Sequence, residues 1–590
     1  MTPTIRIGGA SGFWGDSAVG APQLVRSGQI DYLVFDYLAE LTMSLLAGAR
    51  LKKPELGYAT DFVSVAMKQV LAEVVEKGIR VVSNAGGVNP QGCADALATL
   101  AAEQGIALKI AVVTGDDLMP QLPALREAVP AVREIQSGAP LPDKLLTANA
   151  YLGALPVKAA LDAGAQVVIT GRCVDSAVTL GVLMHAFGWS PEQHDLLAAG
   201  SLAGHIIECG AQGTGGLHTD WERVPDWAHI GYPIVECAAN GDFTVTKPAG
   251  TGGLLTPAVV AEQMLYEIGD PTAYLLPDVV CDFSQVRIAQ AGEHRVHVSG
   301  ARGRAPTPHY KVSATYMAGH RCSAQLTIVG LDAVAKARRT GEAVLIRTGE
   351  MLAAAGLGPY TAHHLEVLGA ESCYGPHARA EGTREAVLRL TVTHPRKEAL
   401  ELFAREIAPA GTSWAPGTTG ASGRPTVSPS IRQYAFLMPK ARVAPQVHVD
   451  GQTLGITVPA GEAFTPAAPV PGTDLLAVGA DAVELPLVRL AWARSGDKGD
   501  TSNIGVIARR PELLPLLRAQ LTAERVAQWL GHLVQGPVTR FEVPGIHAFN
   551  FVCEQALGGG GMASLRNDPL GKGMAQILLS IPVRVPPHLL

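Results

Sequence analysis

An α/β architecture, opening with a parallel sheet and continuing into two α+β units, is predicted by three features of the 590-residue chain. From the N-terminus to residue 180, short β-branched runs alternate with longer Ala/Leu-rich stretches. Each of those runs ends in a polar or glycine-rich loop. A Pro-rich stretch at 461–479 then sets off a C-terminal segment long enough, at about 100 residues, to fold by itself.

Strands are expected at 4–8, 32–35, 80–83, 108–114 and 166–170. Helical patterns fall between them at 61–77 and 91–104, with a shorter one at 156–163. Strand, helix, strand at this spacing signals parallel pairing with right-handed crossovers. Between 200 and 282 the chain turns Gly- and Thr-rich, with few long helices. Strands are expected at 294–299, 311–316, 323–329 and 385–393, with helices at 331–355 and 397–407, which reads as an α+β lobe. The last segment begins LVRLAWARSGDKGDTSNIGVIAR, carries a helical pattern at 511–531 and returns to strands at 538–543 and 547–553. A ferredoxin-like α+β domain fits that order. The expected divisions are a core at 1–285, the α+β lobe at 286–445, a linker at 446–484 and the last domain at 485–590.

Composition excludes several classes. Apolar residues make up 47% and charged residues 17%, against a usual charged share of about 25%, so disorder is ruled out. Such low charge predicts that much surface is buried between domains or copies, and hence a homo-oligomer. With 47 basic and 53 acidic residues the net charge is −6, and aromatic content is 5%. Neither the electrostatic footprint nor the stacking surface of a nucleic-acid binder is present. The N-terminus MTPTIRIGGA has no secretory pattern, and the most apolar stretches are too short or carry His, so no membrane partner is expected. Eight cysteines are scattered without a CxxC and read as reduced thiols, placing the protein in the cytoplasm.

The common signatures GxxxxGKS/T, GxSxG and HExxH are absent. His205 and Cys209, at i and i+4 beside Glu208, have zinc-ligand spacing on a helix, but only the distant His218 offers a third ligand. A buried, hydrogen-bonded His is the better reading, and no metal is expected. The first loop, GGASGFWGD, follows a strand, and Asp36 ends the next one. That layout suggests a dinucleotide, yet the spacing is GGxxGxxG, and Gly20 and Pro22 delay the crossover helix. An anion cradled by backbone N–H groups, with Ser11 and Gly12 in contact, is the milder inference.

Ligands of parallel sheets bind at the carboxyl ends of the strands, where the loops carry Asp36, Asn84, Asp116 and the run Arg172–Asp175–Ser176. Arg172 offers a planar fork for a carboxylate, or a plain ion pair with Asp175. Asp36 and Asp175 are candidate bases, although each Asp here also suits a helix N-cap. Two Gly/Thr-rich loops, with Thr214 and Gly215 in one and Lys247 and Thr251 in the other, suit either an oxyanion or a tight corner. Lys498, in ARSGDKGD, sits in a salt-bridged turn or in an anion nest reaching across a domain interface.

The motifs IRIGGASGFWGDS, ITGRCVDSAVTLG, AAGSLAGHIIECGAQGTGG, VTKPAGTGGLLTP and LYEIGDPTAYLLPDVVCDF resemble the acyclic terpene utilisation protein AtuA family. ARSGDKGD, PGIHAFNF and ALGGGGMASLRNDPLGK resemble the AtuA-like ferredoxin-fold domain. The resemblance implies breakdown of acyclic terpenoids and branched acids through acyl-CoA thioesters, and it carries over no site residues. Three functions compete: a lyase or hydratase on an acyl-CoA or carboxylate, a nicotinamide-dependent oxidoreductase, and a non-catalytic binding or assembly subunit of acyl-CoA enzymes. The first is favoured, with a small-molecule substrate and no cofactor beyond the CoA of that substrate.

Overall fold

The computed structural model describes residues 4–421 and 423–590. Six strands follow one another in the first part of the chain: β1 (Thr4–Gly9), β2 (Tyr32–Phe35), β3 (Arg80–Ser83), β4 (Ile110–Thr114), β5 (Thr147–Ala150) and β6 (Val167–Thr170). Five of them lie side by side in the order β1-β2-β3-β6-β4, all parallel, at the centre of an eleven-stranded sheet. These are the five strands the sequence predicts.

Both faces of that sheet are covered, as a parallel sheet requires. Successive residues alternate between two cores: Leu33, Phe35, Val81, Val167 and Ile169 enter one, and Tyr32, Val34, Val82 and Val168 the other. Pro90–Glu103 packs on the first face and begins sharply: Pro90 occupies the first turn, and Asn89 caps it by accepting from Gly92 N at 3.1 Å. Leu155–Asp162, Ala177–Phe187 and His194–Ile207 cover the second face.

The expected divisions need correction at both ends of the middle lobe. β7 (Ile234–Ala238) and β8 (Phe243–Thr246) extend the β1 edge in antiparallel fashion, and strands Arg295–Ser299 and Arg287–Gly292 continue it. At the opposite edge, Gln446–Val449 pairs with β4 and Gln452–Gly455 with Gln446–Val449. The first sheet therefore draws strands from beyond residue 285 and from the segment expected to be linker.

β5 has left that sheet altogether. It pairs with His309–Val329, one 21-residue strand where two were expected, whose register with Val427–Pro439 shifts between Met317 and His320. That strand, with Glu385–His394 and Ala362–Leu368, packs helices Ala333–Ala354 and Lys397–Glu406 over a separate core. The C-terminal domain is a four-stranded antiparallel sheet, ordered Ala491–Lys498, Thr501–Ala508, Ala548–Cys553, Val538–Val543, with its own core. Among the described residues no helix is long and apolar enough to cross a membrane.

Candidate functional site

Because β1, β2, β3, β6 and β4 are parallel neighbours, the loops that follow them share one edge of the sheet. Asp36, past β2, is buried and accepts from the Asn84 amide, past β3. Asn84 in turn accepts from Tyr37 N at 2.7 Å, and Ser11 donates to the Asp36 carbonyl at 3.0 Å. Burial, then the charges of Asp175 and Glu208, push the Asp36 carboxyl well above the usual carboxylate range, outweighing Arg172 and Asn84. That shift favours the protonated form of Asp36. Past β4, Asp116 accepts from Arg172 N at 2.9 Å and Asn149 at 2.8 Å, and burial raises it to about 6. Its hydrogen bonds go to shaping the β6 loop.

Arg172 itself is buried. One guanidinium nitrogen donates to Asp175 at 2.8 Å and to the Cys173 carbonyl at 3.0 Å, and its Cζ lies 4.1 Å from the centre of the Tyr151 ring. Its Nε is buried without a hydrogen-bond partner. The Tyr151 hydroxyl donates to Glu40 at 2.5 Å, and Gln433 donates to the same oxygen at 3.1 Å. Burial opposes ionisation of Glu40, but Lys311, Arg172 and the Tyr151 bond overcome it and hold the carboxyl down at about 2. Lys311 lies 5.1 Å from the Tyr151 ring centre, and among the described residues its ammonium has no hydrogen-bond partner. Burial lowers its pKa.

A second group approaches from the helix His194–Ile207. His205 Nδ1 lies 2.9 Å from Glu208 Oε1, and both side chains are buried. The opposite nitrogen, Nε2, is buried with no partner. Burial disfavours the imidazolium, yet the Glu208 charge and hydrogen bond outweigh it and raise His205. The helix stops at Ile207, so His205 and Cys209 do not share a helical face, and the zinc spacing dissolves. Among the described residues no three His, Cys, Asp or Glu side chains converge as metal ligands. Burial pushes the Cys209 thiol well up, which removes it as a thiolate nucleophile.

The glycines of the first loop serve this junction. A Cβ on Gly9 would stand 2.5 Å from the Ile207 carbonyl, and one on Gly12 would stand 2.8 Å from Cys209 Cα. Close approach is needed by the helix end, and four of the loop's donors are occupied: Gly9 N on Pro233, Ala10 N on Val34, Gly12 N on Asp16 and Trp14 N on Tyr37. Gly9, Ala10, Gly12 and Trp14 therefore offer no free N–H to the pyrophosphate that the layout suggested.

The C-terminal domain reaches the same edge. Lys498 forms a long ion pair with Glu267 at 3.6 Å, and the groups around it, Tyr274, Glu267, Asp175 and Glu208, hold it protonated against partial burial. Ser176 is buried at the start of the helix Ala177–Phe187, against Gly204. The remaining candidates are not brought in. Thr214 donates to the Ala211 and Gly231 carbonyls, and Gly215 turns with φ +107°. Lys247 donates to the Thr251 carbonyl at 2.6 Å while Thr251 donates to Pro248, closing their loop on itself. Those Gly-rich runs are tight corners. Two cavities lie elsewhere, about 160 Å³ beside Asp195 and Arg302 and about 380 Å³ between His364, Cys373 and His532.

Sequence reasoning missed Glu40, Tyr151 and Lys311; it read His205 as a buried, hydrogen-bonded side chain, which it is, but gave it no place in the site. Tyr151 and Lys311 meet because β5 pairs with the long strand, a contact between segments far apart in the chain.

The family model described as acyclic terpene utilisation family protein AtuA matches residues 5–449, and that of the AtuA ferredoxin-like domain matches residues 485–584. No curated protein and no solved structure matches the chain.

Proposed function

Because the chain belongs to the acyclic terpene utilisation AtuA family, whose description implies a catabolic role, we propose that it is a lyase of the hydratase type acting on a branched acyl thioester or carboxylate. The observation that carries this reading is the buried, unpartnered Nε2 of His205, with the raised carboxyl of Asp36 as the acid to complement it. Glu208 lies beside His205 Nδ1 and turns Nε2 inward, buried and without a hydrogen-bond partner; the base acts from the neutral ring, in which the proton sits on Nδ1 and Nε2 carries the lone pair. Asp36 is the carboxyl kept neutral by its surroundings.

In the dehydrating direction, Nε2 takes the proton α to the carbonyl, and the electron pair of that C–H bond moves toward the carbonyl oxygen. Arg172 faces the charge that develops there. As the α,β double bond forms, the β C–O bond breaks and its oxygen leaves as water with the Asp36 proton. The reverse sequence adds water. The Tyr151 ring, fixed by its hydroxyl on Glu40, packs against the Arg172 guanidinium, and Asp175 accepts from one of its nitrogens.

The test is turnover on a panel of branched 3-hydroxyacyl-CoA thioesters and their free acids. The reading expects water loss from at least one, slowed roughly 10²–10⁴-fold in His205→Gln. No turnover on any member, or an undiminished rate in His205→Gln, contradicts it.

A further inference from the structure

The C-terminal domain is seated on the core, not tethered beside it. Arg509 donates twice to Asp220, at 2.8 and 2.5 Å, and Trp492 Nε1 donates to the same carboxylate at 2.8 Å. Arg494, itself buried, donates to Gln212 at 2.7 Å and to the Gly216 carbonyl at 2.9 Å. Asn503 donates to the Leu265 carbonyl at 2.6 Å and accepts from Glu267 N at 2.9 Å, while Asn550 donates to Ile268 at 2.8 Å and to Gly269 at 2.6 Å. Two glycines allow the close fit: a Cβ on Gly496 would meet Glu267 Cγ at 2.5 Å, and one on Gly505 would meet Leu265 Cβ at 2.6 Å. Buried amides paired in both directions fix one register, because a shifted register strands each of them without a partner.

That register decides where the hairpin joining Ala491–Lys498 to Thr501–Ala508 ends. Its tip sets Lys498 Nζ 3.6 Å from Glu267, where the charges of Asp175 and Glu208 also act on it, so the domain delivers one cation, Lys498, to the edge where Arg172 of the core and Lys311 of the middle sheet lie 4.1 and 5.1 Å from the centre of the Tyr151 ring. All three have unused donors. Arg172 Nε is orphaned and buried, Lys311 has no hydrogen-bond partner among the described residues, and Lys498 is held only by the 3.6 Å pair. Two of the surrounding acids are engaged elsewhere: Asp36 accepts from Asn84, and Glu40 from Tyr151 and Gln433. Three cations from three parts of the chain, with donors left over, suit an incoming group with several anionic oxygens.

We infer that Lys498, Lys311 and Arg172 form an anion subsite at the junction of the three units, and that the ferredoxin-like domain is there to supply its third cation. The ligand class is a carboxylate or phosphate group carried by the substrate. The inference rests on the proposed catalytic edge and adds a second recognition point to it.

Malonate and pyrophosphate serve as probes, titrated calorimetrically into the full-length protein. Binding of either, weakened at least tenfold in Lys498→Met, retained in Lys498→Arg and unaltered in His205→Gln, is the expected result; the tighter probe identifies whether carboxylate or phosphate is the natural group. An unchanged melting temperature shows that Lys498→Met still folds, which its 44% side-chain exposure favours. Equal affinity in Lys498→Met and the unaltered protein, or no binding of either probe, overturns the subsite. That outcome alongside His205-dependent turnover leaves the lyase reading standing. Lys498-dependent anion binding without any turnover does the reverse.

Discussion

Asp220 of the core accepts both terminal nitrogens of Arg509 from the C-terminal domain, in a partly buried bidentate pair that Trp492 completes. The pairing holds the Asp220 carboxyl down at about 2, first through the Arg509 hydrogen bonds. Asp220→Ala removes three hydrogen bonds and leaves a guanidinium half out of water, so the domain contact should weaken by about 2–4 kcal/mol. Differential scanning calorimetry should then resolve a separate, earlier transition for the C-terminal domain. A single transition at the original temperature means the pair contributes nothing to docking.

Arg172→Lys keeps the charge and loses the fork. The lysine cannot at once reach Asp175, the Cys173 carbonyl and a ligand, so binding of a working substrate should weaken by about 2 kcal/mol. Isothermal calorimetry reads the loss directly. Unchanged affinity beside an unchanged melting temperature means that Arg172 only shapes its loop.

Asp278 gives the fold a pH dependence. It is buried, accepts from Ala154 N at 2.8 Å, and is raised to about 6 by burial. A carboxyl with a raised folded pKa adds stability that is complete below its unfolded value of about 3.9 and lost as pH climbs through about 6. Its share, on the order of 3 kcal/mol, therefore declines between pH 4 and pH 6, and Asp116 behaves alike. Urea unfolding at pH 4.5 and pH 7 should show Asp278→Asn with a smaller pH dependence than the unaltered chain. Parallel profiles would mean that Asp278 ionises normally.

Gly9→Ala places a methyl 2.5 Å from the Ile207 carbonyl, where backbone and not a flexible side chain must yield. The first loop must then lift from the end of His194–Ile207, costing about 1–3 kcal/mol and shifting His205 against Asp36. Turnover should fall further than the melting temperature implies. Full activity in a folded variant would show that the contact is not positional.

Part of this site is legible in the chain because parallel strands present their loops in common. Asp36, Asn84, Asp116 and Arg172 each follow a β-branched run, and neighbouring strands bring them together whatever the helices do. Lys311 and Tyr151 are invisible by that route, because they meet through antiparallel pairing of β5 with a strand some 160 residues on, a register that no local pattern encodes. Lys247, Thr251 and Thr214 misled for the opposite reason: glycine marks close backbone contact, and here the contact is with the chain itself. The long strand reads as two, 311–316 and 323–329, because its register with Val427–Pro439 shifts between Met317 and His320.

The proposed acid–base pair is tested most directly by α-proton exchange in D₂O, followed by NMR on the branched 3-hydroxyacyl thioesters of the substrate panel. His205→Gln should abolish exchange and water loss together. Asp36→Asn, which keeps the size of the side chain but cannot protonate a leaving hydroxyl, should still exchange the α proton while water loss falls roughly 10²-fold or more. Exchange that persists in His205→Gln, or water loss undiminished in Asp36→Asn, would contradict the assignment.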